Sequence, residues 1–453
     1  MNGILLHGFS LGARCPYRAT RRFGGHRPPL QLLLVAFLFL LGACARPDSP
    51  APNQVLRVSQ RNEPGTLDPA IAGFPDEFFI IRALSEGLLT PAPDGGPPRL
   101  AAAENFDVSV DGLTYTFQLR AGARWSNGEP VTADDFIASF RRVLTPATAA
   151  PKADLFFAVK NARAFATGAL TDFSAVGLRA PDARIVVITL ENPSPRFPLY
   201  VASGPWIPVN PRVVAQHGRN WTKPRLFVGN GPFTLAEWRP QQRIVVKKNP
   251  AYHGANATKL DEIQFLRFDS GDTEERAFRA GQVDITMAVP PSKLANYARE
   301  QPARLHRTLL AETRYLSFNT ARAPLNDVRV RLALALSIDR QKIVERVLMG
   351  GQQPAGRFLP PALRSVRDTA PLATEQQLDP VEARRLLALA GFAGGRNFPK
   401  LELTGWTVTP VLEAVQEMWR QELRIEVSIA VREANVHLAA LRSGAYDIAN
   451  LDV

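Results

Sequence analysis

An α/β fold with at least one parallel sheet is predicted for this chain of 453 residues, and three observations predict it. Near the end, Leu401-Glu402-Leu403-Thr404 reads as a strand, Val411, Leu412, Val415, Met418 and Trp419 recur at helical spacing, and Ile425–Ile429 reads as a second strand. Strand, helix, strand is the signature of parallel neighbours with a helix over one face. Earlier, Leu113–Leu119 alternates with period two and Arg184–Leu190 does so less strictly, which adds β structure outside that unit. Finally, 45% apolar residues spread evenly say globular, at a length that suits two or three domains.

The first segment is different. Arg14, Arg18, Arg21, Arg22 and Arg27 precede an apolar run from Leu32 to Leu41 with no acid among them, the charge layout of a secretory leader. That run is too short to span a bilayer, which takes about 20 residues. Leu41-Gly42-Ala43-Cys44 resembles a lipoprotein cleavage box, so residues 1–43 are expected to leave as a signal peptide and Cys44 to carry lipid. Two or three acyl chains anchor stably where one does not. Loss of five arginines takes the formal charge from +12 to +7. With no Lys/Arg block and no interleaved aromatics, a basic surface near an anionic bilayer explains that charge better than nucleic-acid binding. Cys15 leaves with the leader, so no disulfide is expected.

Residues 45–53 form a Pro/Ser/Ala/Asn tether. Val55–Val58 follows as a strand, and Glu63–Pro69 breaks it into a loop. Thr132-Ala133-Asp134-Asp135 opens a helix in capping-box style, continued by Phe136, Phe140 and Val143. Phe233–Trp238 and Arg243–Lys248 are strands around the turn 239–242, and Asp327 leads into a helix over Val330–Ser337.

Catalytic signatures are scarce. Gly8-Phe9-Ser10-Leu11-Gly12 matches a hydrolase elbow but lies ahead of the apolar run without strand-turn-helix context. His217, His253, His306 and His437 are scattered singly, so each is expected to be solvated or core, with no metal. The adjacent acids Asp134-Asp135 and Glu274-Glu275 are expected to cap helices or face solvent. No phosphate-cradling glycine loop occurs, no cofactor is expected, and the chain reads as a binder rather than an enzyme.

Several stretches carry a resemblance. Glu63–Ala70, Leu84–Leu88, DGLTYTFQLRAGARWSNGEPVTADDF at 111–136, NGPFTLAEW at 230–238, KKNPAYHG at 247–254, AFRAGQVDIT at 277–286 and YLSFNTARAPLNDVRVRLALALSIDR at 315–340 resemble the peptide-type solute-binding proteins of ABC importers, extracytoplasmic family 5. The stretch 146–180 is most similar to oligopeptide binders; dipeptide, nickel and sugar relatives share the general blocks. The resemblance implies a type II periplasmic-binding fold, two lobes on a hinge with a small inserted domain. The expected boundaries are a first lobe at 55–86 and 206–312, the insertion at 87–205 and the second lobe at 313–453. It also implies an oligopeptide ligand, an ABC permease partner and a lipid-anchored place on the outer side of the cell membrane.

In open α/β sheets ligands sit beyond the carboxyl ends of strands. That rule nominates Asn62 and Glu63 after the first strand, the loop Ala72-Gly73-Phe74, and Gly405 and Trp406 after the strand at 401–404, with a buried core tryptophan as the competing reading for Trp406. Asn230 and Gly231 join them, with a plain turn as the competing reading. Tyr315 and Asn319 join from the stretch that corresponds to the family's hinge strand. Relatives continue past Gly444–Ala449 into a G-W-x-A-D-Y-x-D-P loop and a return segment, which the 453 residues lack. The acid that grips a peptide's α-amine in oligopeptide binders belongs to that part. Its loss, at about 2–5 kcal/mol, predicts weak binding, and the absence of the second hinge crossing with its packing predicts a marginal fold for this chain.

Overall fold

The computed structural model describes residues 54–308, 310, 312–359, 378–406 and 409–452. The leader, its Gly8–Gly12 motif, Cys15, Cys44 and the tether up to Asn53 lie outside the described residues. Among the described residues the strands form three four-stranded sheets and one short pair.

The first sheet contains β1 (Val55–Gln60), β8 (Phe233–Arg239), β9 (Arg243–Lys248) and β10 (Glu262–Arg267), in the order β1-β10-β9-β8. β1 runs parallel to β10, and β10-β9-β8 is antiparallel. The hairpin β8–β9 follows directly from alternation around Arg239–Gln242. The β1–β10 pair is a long-range match, tied at its start by Gln54 N donating to Asp261 at 2.9 Å. Helix α1 (Pro75–Leu84) packs Ile80, Ile81 and Leu84, all at 0% exposure, into the core beneath this sheet with Val246 and Phe265.

A short pair, β2 (Leu89–Thr90) and β3 (Arg99–Leu100), leads into the second sheet. That sheet is antiparallel, with β4 (Ala103–Val108), β5 (Thr114–Leu119), β6 (Leu178–Asp182) and β7 (Ile185–Thr189) in the order β4-β5-β7-β6. Helix α2 (Ala133–Leu144) covers it, and its start is the predicted capping box. Thr132 Oγ1 accepts from Asp135 N at 3.3 Å, and Asp135 accepts from Thr132 N at 3.0 Å. Phe136, Phe140 and Val143 are buried as predicted. Trp206 stacks on Phe156 with ring centres 3.9 Å apart and meets Phe140 edge-on, filling this core.

The third sheet has the order β11-β14-β12-β13, built from β11 (Arg314–Phe318), β12 (Leu401–Gly405), β13 (Val427–Val431) and β14 (Ile448–Asp452). β12 is parallel to both β13 and β14, while β11 runs antiparallel to β14. Helices α5 (Val328–Leu336), α6 (Pro380–Leu389) and α7 (Pro410–Leu423) supply its core, in which Trp419 is fully buried and donates from Nε1 to Leu334 O at 2.9 Å. The strand-helix-strand reading thus holds. β13 starts two residues later than expected because Leu401 registers with Val427; Ile425 still packs into the core. α5 starts two residues early because the Asp327 carboxylate accepts from Arg329 N at 2.8 Å and caps it there.

Two acidic expectations change. Asp135 caps its helix but is buried, because its carboxylate also accepts from Trp125 Nε1 at 3.0 Å. Glu274 and Glu275, on α4 (Gly271–Arg279), are not solvated. Glu274 accepts from Ser59 Oγ, from Met287 N and from Arg61 Nε, while Glu275 takes Tyr297 OH at 3.0 Å and Arg279. Donors on separate elements offset the cost of burying both carboxylates.

Asp135→Ala removes a cap and leaves Trp125 Nε1 unmet, so urea unfolding is expected to show a loss of about 2–4 kcal/mol. Glu129 accepts from Asn127, Asn210 and Arg212, which hold its carboxyl down at about 2, against an ordinary 4.5. A depressed carboxylate stabilises the fold above its unfolded pKa and loses that effect as pH falls towards the folded one. The melting-temperature gap between wild type and Glu129→Gln should therefore be widest above pH 4.5 and close by about pH 2.

Candidate ligand-binding site

The strand directions decide which nominated residues share an end of a sheet. β1, β8 and β10 finish together, at Gln60, Arg239 and Arg267. The loop 61–74 leaves from that edge, and two buried carboxylates shape it. Glu77, 4% exposed in the first turn of α1, accepts from Gly65 N (3.0 Å) and Thr66 N (3.2 Å) on one oxygen, and from Gly73 N (2.8 Å) and Phe74 N (3.1 Å) on the other. Asp68, equally buried, accepts from Ala70 N (3.0 Å), Trp221 Nε1 (3.3 Å) and the Arg142 fork (2.8 Å at Nη1). A loop that would otherwise carry loose main-chain amides is thus fixed to the body.

Within it, Asn62 donates to Asp76, and Glu63 accepts from Trp238 Nε1 at 2.7 Å and Gln241 N at 2.9 Å. Both nominated polar groups are committed to the loop's own architecture. Ala72 is fully buried, Gly73 lies against Pro151, and Phe74 is half-buried where α1 begins.

Asn230 and Gly231 lie at the opposite end, where β8 starts level with the start of β1. Asn230, 3% exposed, grips the Glu86 main chain from both sides at 3.0 Å, and Gly231 N donates to Leu84 O at 3.0 Å. A Cβ on Gly231 would stand 2.5 Å from Ser85 N, so only glycine fits. The pair is a structural joint between α1 and β8. Beside it opens a cleft of about 200 Å³ lined by Arg82, Glu86, Ile207, Pro232 and Tyr252. Glu86 occupies it, accepting from Tyr252 OH at 2.8 Å and meeting His253 Nε2 at 2.7 Å; burial and that carboxylate push the Tyr252 phenol well above its usual range. Its volume falls short of the roughly 300–1,000 Å³ of ligand pockets, and it sits at the amino ends of the strands.

In the third sheet, Gly405 ends β12, and half-buried Trp406 follows, its ring 5.5 Å from that of His437 and inclined at 67°. Tyr315 pairs with Leu451 at this same end, its ring 5.0 Å from Phe358. Asn319 does not join them. It lies four residues along, about 13 Å at strand rise, where Nδ2 donates to Gly444 O (3.0 Å) and Tyr446 O (2.9 Å). The carboxyl ends therefore gather Asn62 and Glu63 in one sheet and Gly405, Trp406 and Tyr315 in the other. Glu77 and Asp68 were missed by sequence reasoning; the acid in the turn after Pro75 was the available signal for Glu77. Among the described residues, no group of three or more His, Cys, Asp or Glu could hold a metal, and no helix is long and apolar enough to cross a membrane.

Comparison with known proteins gives a consistent match. Residues 97–453 match the family model for bacterial extracellular solute-binding proteins, family 5 Middle. The chain is 34% identical over 405 residues to the probable deoxycholate-binding periplasmic protein YgiS of Escherichia coli K12, covering 87% of this chain and 74% of that protein. It is 30% identical over 443 residues to the oligopeptide-binding protein OppA of Bacillus subtilis, covering 92% and 80%. Among solved structures, it is similar to a periplasmic oligopeptide-binding protein from Borrelia burgdorferi, with TM-score 0.83, 28% identity and coverage of 88% and 80%.

Glu77→Gln leaves four amides with only one strong acceptor oxygen. Denaturant unfolding should show a loss of about 2–4 kcal/mol, with hydrogen exchange accelerated at Gly65, Thr66, Gly73 and Phe74. Slowed or unchanged exchange at these amides would contradict the loop's dependence on this carboxylate.

Proposed function

The chain belongs to the bacterial extracellular solute-binding proteins of family 5, receptors rather than enzymes, and we propose that its ligands are oligopeptides delivered to an ABC import permease. The observation that carries this reading is the likeness to the Borrelia burgdorferi oligopeptide-binding structure over 88% of the chain. The site's chemistry supports it. Polar loop edges and a half-buried indole at strand ends suit a ligand held through its main chain, with side chains in wet pockets, so that many sequences are tolerated. A dissociation constant near ~1 μM corresponds to about −8 kcal/mol, a modest surplus from many contacts.

The finer assignments follow the same reading. Asn62, Glu63, the 72–74 loop, Tyr315, Gly405 and Trp406 border the ligand, while Asn230, Gly231 and Asn319 hold the scaffold that presents them. Lobes at 55–86 with 206–312 and at 313–453, and an insertion at 87–205, close about the hinge to bury the guest. Cys44, freed by removal of residues 1–43, carries the lipid that keeps the receptor outside the cytoplasmic membrane. A second reading, an amphipathic steroid acid as ligand, is favoured by the similarity to the probable deoxycholate-binding protein.

Native mass spectrometry of protein purified from cells separates these. A ladder of peptide masses is expected; a single steroid mass would support the second reading, and cleavage of added peptides would overturn both. Cys44→Ala should release the protein from membranes without changing its peptide affinity, read by fractionation and calorimetry.

A further inference from the structure

His437, on α8 (Ala434–Ser443), is 1% exposed, and among the described residues neither ring nitrogen makes a well-formed hydrogen bond, the Asn450 main chain being a weak acceptor beside one of them. A neutral imidazole carries one donor and one acceptor, and leaving one weakly met and the other unmet in a buried position is rare enough to require a reason. Burial pushes this imidazole below its usual pKa, which favours the neutral ring; the hydrogen bond to the Asn450 main chain opposes the shift and the Arg432 guanidinium adds to it. Two other unmet groups share a simpler setting. Gln60 Oε1 and Arg267 Nε border a shared cavity of about 10 Å³, the size of one water molecule.

His437 is walled by Trp406, whose ring meets it edge-on and which is half-buried just past the carboxyl end of β12. Asn450, one residue past the Thr404–Ala449 pair, marks the same level. The poorly partnered ring thus stands one side chain behind the edge where an α/β sheet receives its ligand.

We infer that His437 is a ligand contact, uncovered when Trp406 turns aside, and that its ring pairs with a neutral amide of the bound peptide, main-chain or Asn/Gln side-chain. With one ring N–H turned to the Asn450 main chain, the other nitrogen is left as an acceptor, which a ligand amide N–H can meet. Arg432, held by Glu402 at 2.6 Å and donating to Ala445 O at 3.1 Å, adds a fixed positive charge that disfavours a cationic side chain there. This inference rests on the peptide-binding reading above.

The test uses the full chain with Ala-Ala-Ala, Ala-Gln-Ala and Ala-Lys-Ala as probes, in calorimetry and in NMR of the His437 ring nitrogens. In the wild type, peptide addition should shift both ring-nitrogen signals, with Ala-Gln-Ala binding tighter than Ala-Lys-Ala. His437→Phe should fold at least as stably, since it removes the poorly met nitrogens, yet bind five- to twenty-fold more weakly; His437→Gln should recover part of the affinity. Unmoved ring signals with unchanged affinity in His437→Phe would make the residue a core histidine and overturn the inference alone. Wild-type protein that binds none of the peptides would overturn the function on which it rests.

Discussion

The parallel pairing of β1 with β10, and of β12 with β13 and β14, is the constraint on which the rest of the molecule depends. Parallel neighbours must be joined by crossovers, so their chains all leave the sheet on one side. In the first sheet that side receives loop 61–74, and in the third it receives Gly405-Trp406. A ligand approaching these edges meets main chain and polar loop rather than helix flank, which is why this geometry recurs in binding folds.

Such an edge binds well only if it is already ordered, because ordering it on contact would consume affinity. Here two carboxylates supply that order. Glu77 collects four amides of the loop, and Asp68 couples the loop to Arg142 of α2 and to Trp221. The first sheet and the helix over the second are thereby fixed to one another through a single buried acid. Glu274 does similar work at β1, gathering Ser59, Arg61 and Met287. These buried acids organise the scaffold.

What could be read from the sequence followed the range of the interactions involved. The β8–β9 hairpin, the α2 capping box and the β12-α7-β13 unit were legible because their signals lie within a few residues of each other. The β1–β10 pairing was not, since nothing local links Val55 to Glu262. For the same reason Asn230 and Gly231, nominated beside Asn62, proved to lie at the other end of their sheet, and Asn319 at the other end of the strand that holds Tyr315. Glu274 and Glu275 looked like solvated helix charges because their partners come from β1, from the segment after α4 and from the helix at 291–300. His437 gave no sequence signal of burial; a lone histidine reads the same in a core as on a surface.

The claim at the centre of this account is that the carboxyl ends of β1 and β12 form the ligand edge, and hydrogen exchange with and without saturating peptide tests it most directly. The account predicts that peptide slows exchange in 62–74 and at 405–406 while leaving 229–231 and 444–447 unchanged. Protection confined to those latter segments, with the strand-end loops unaffected, would contradict it.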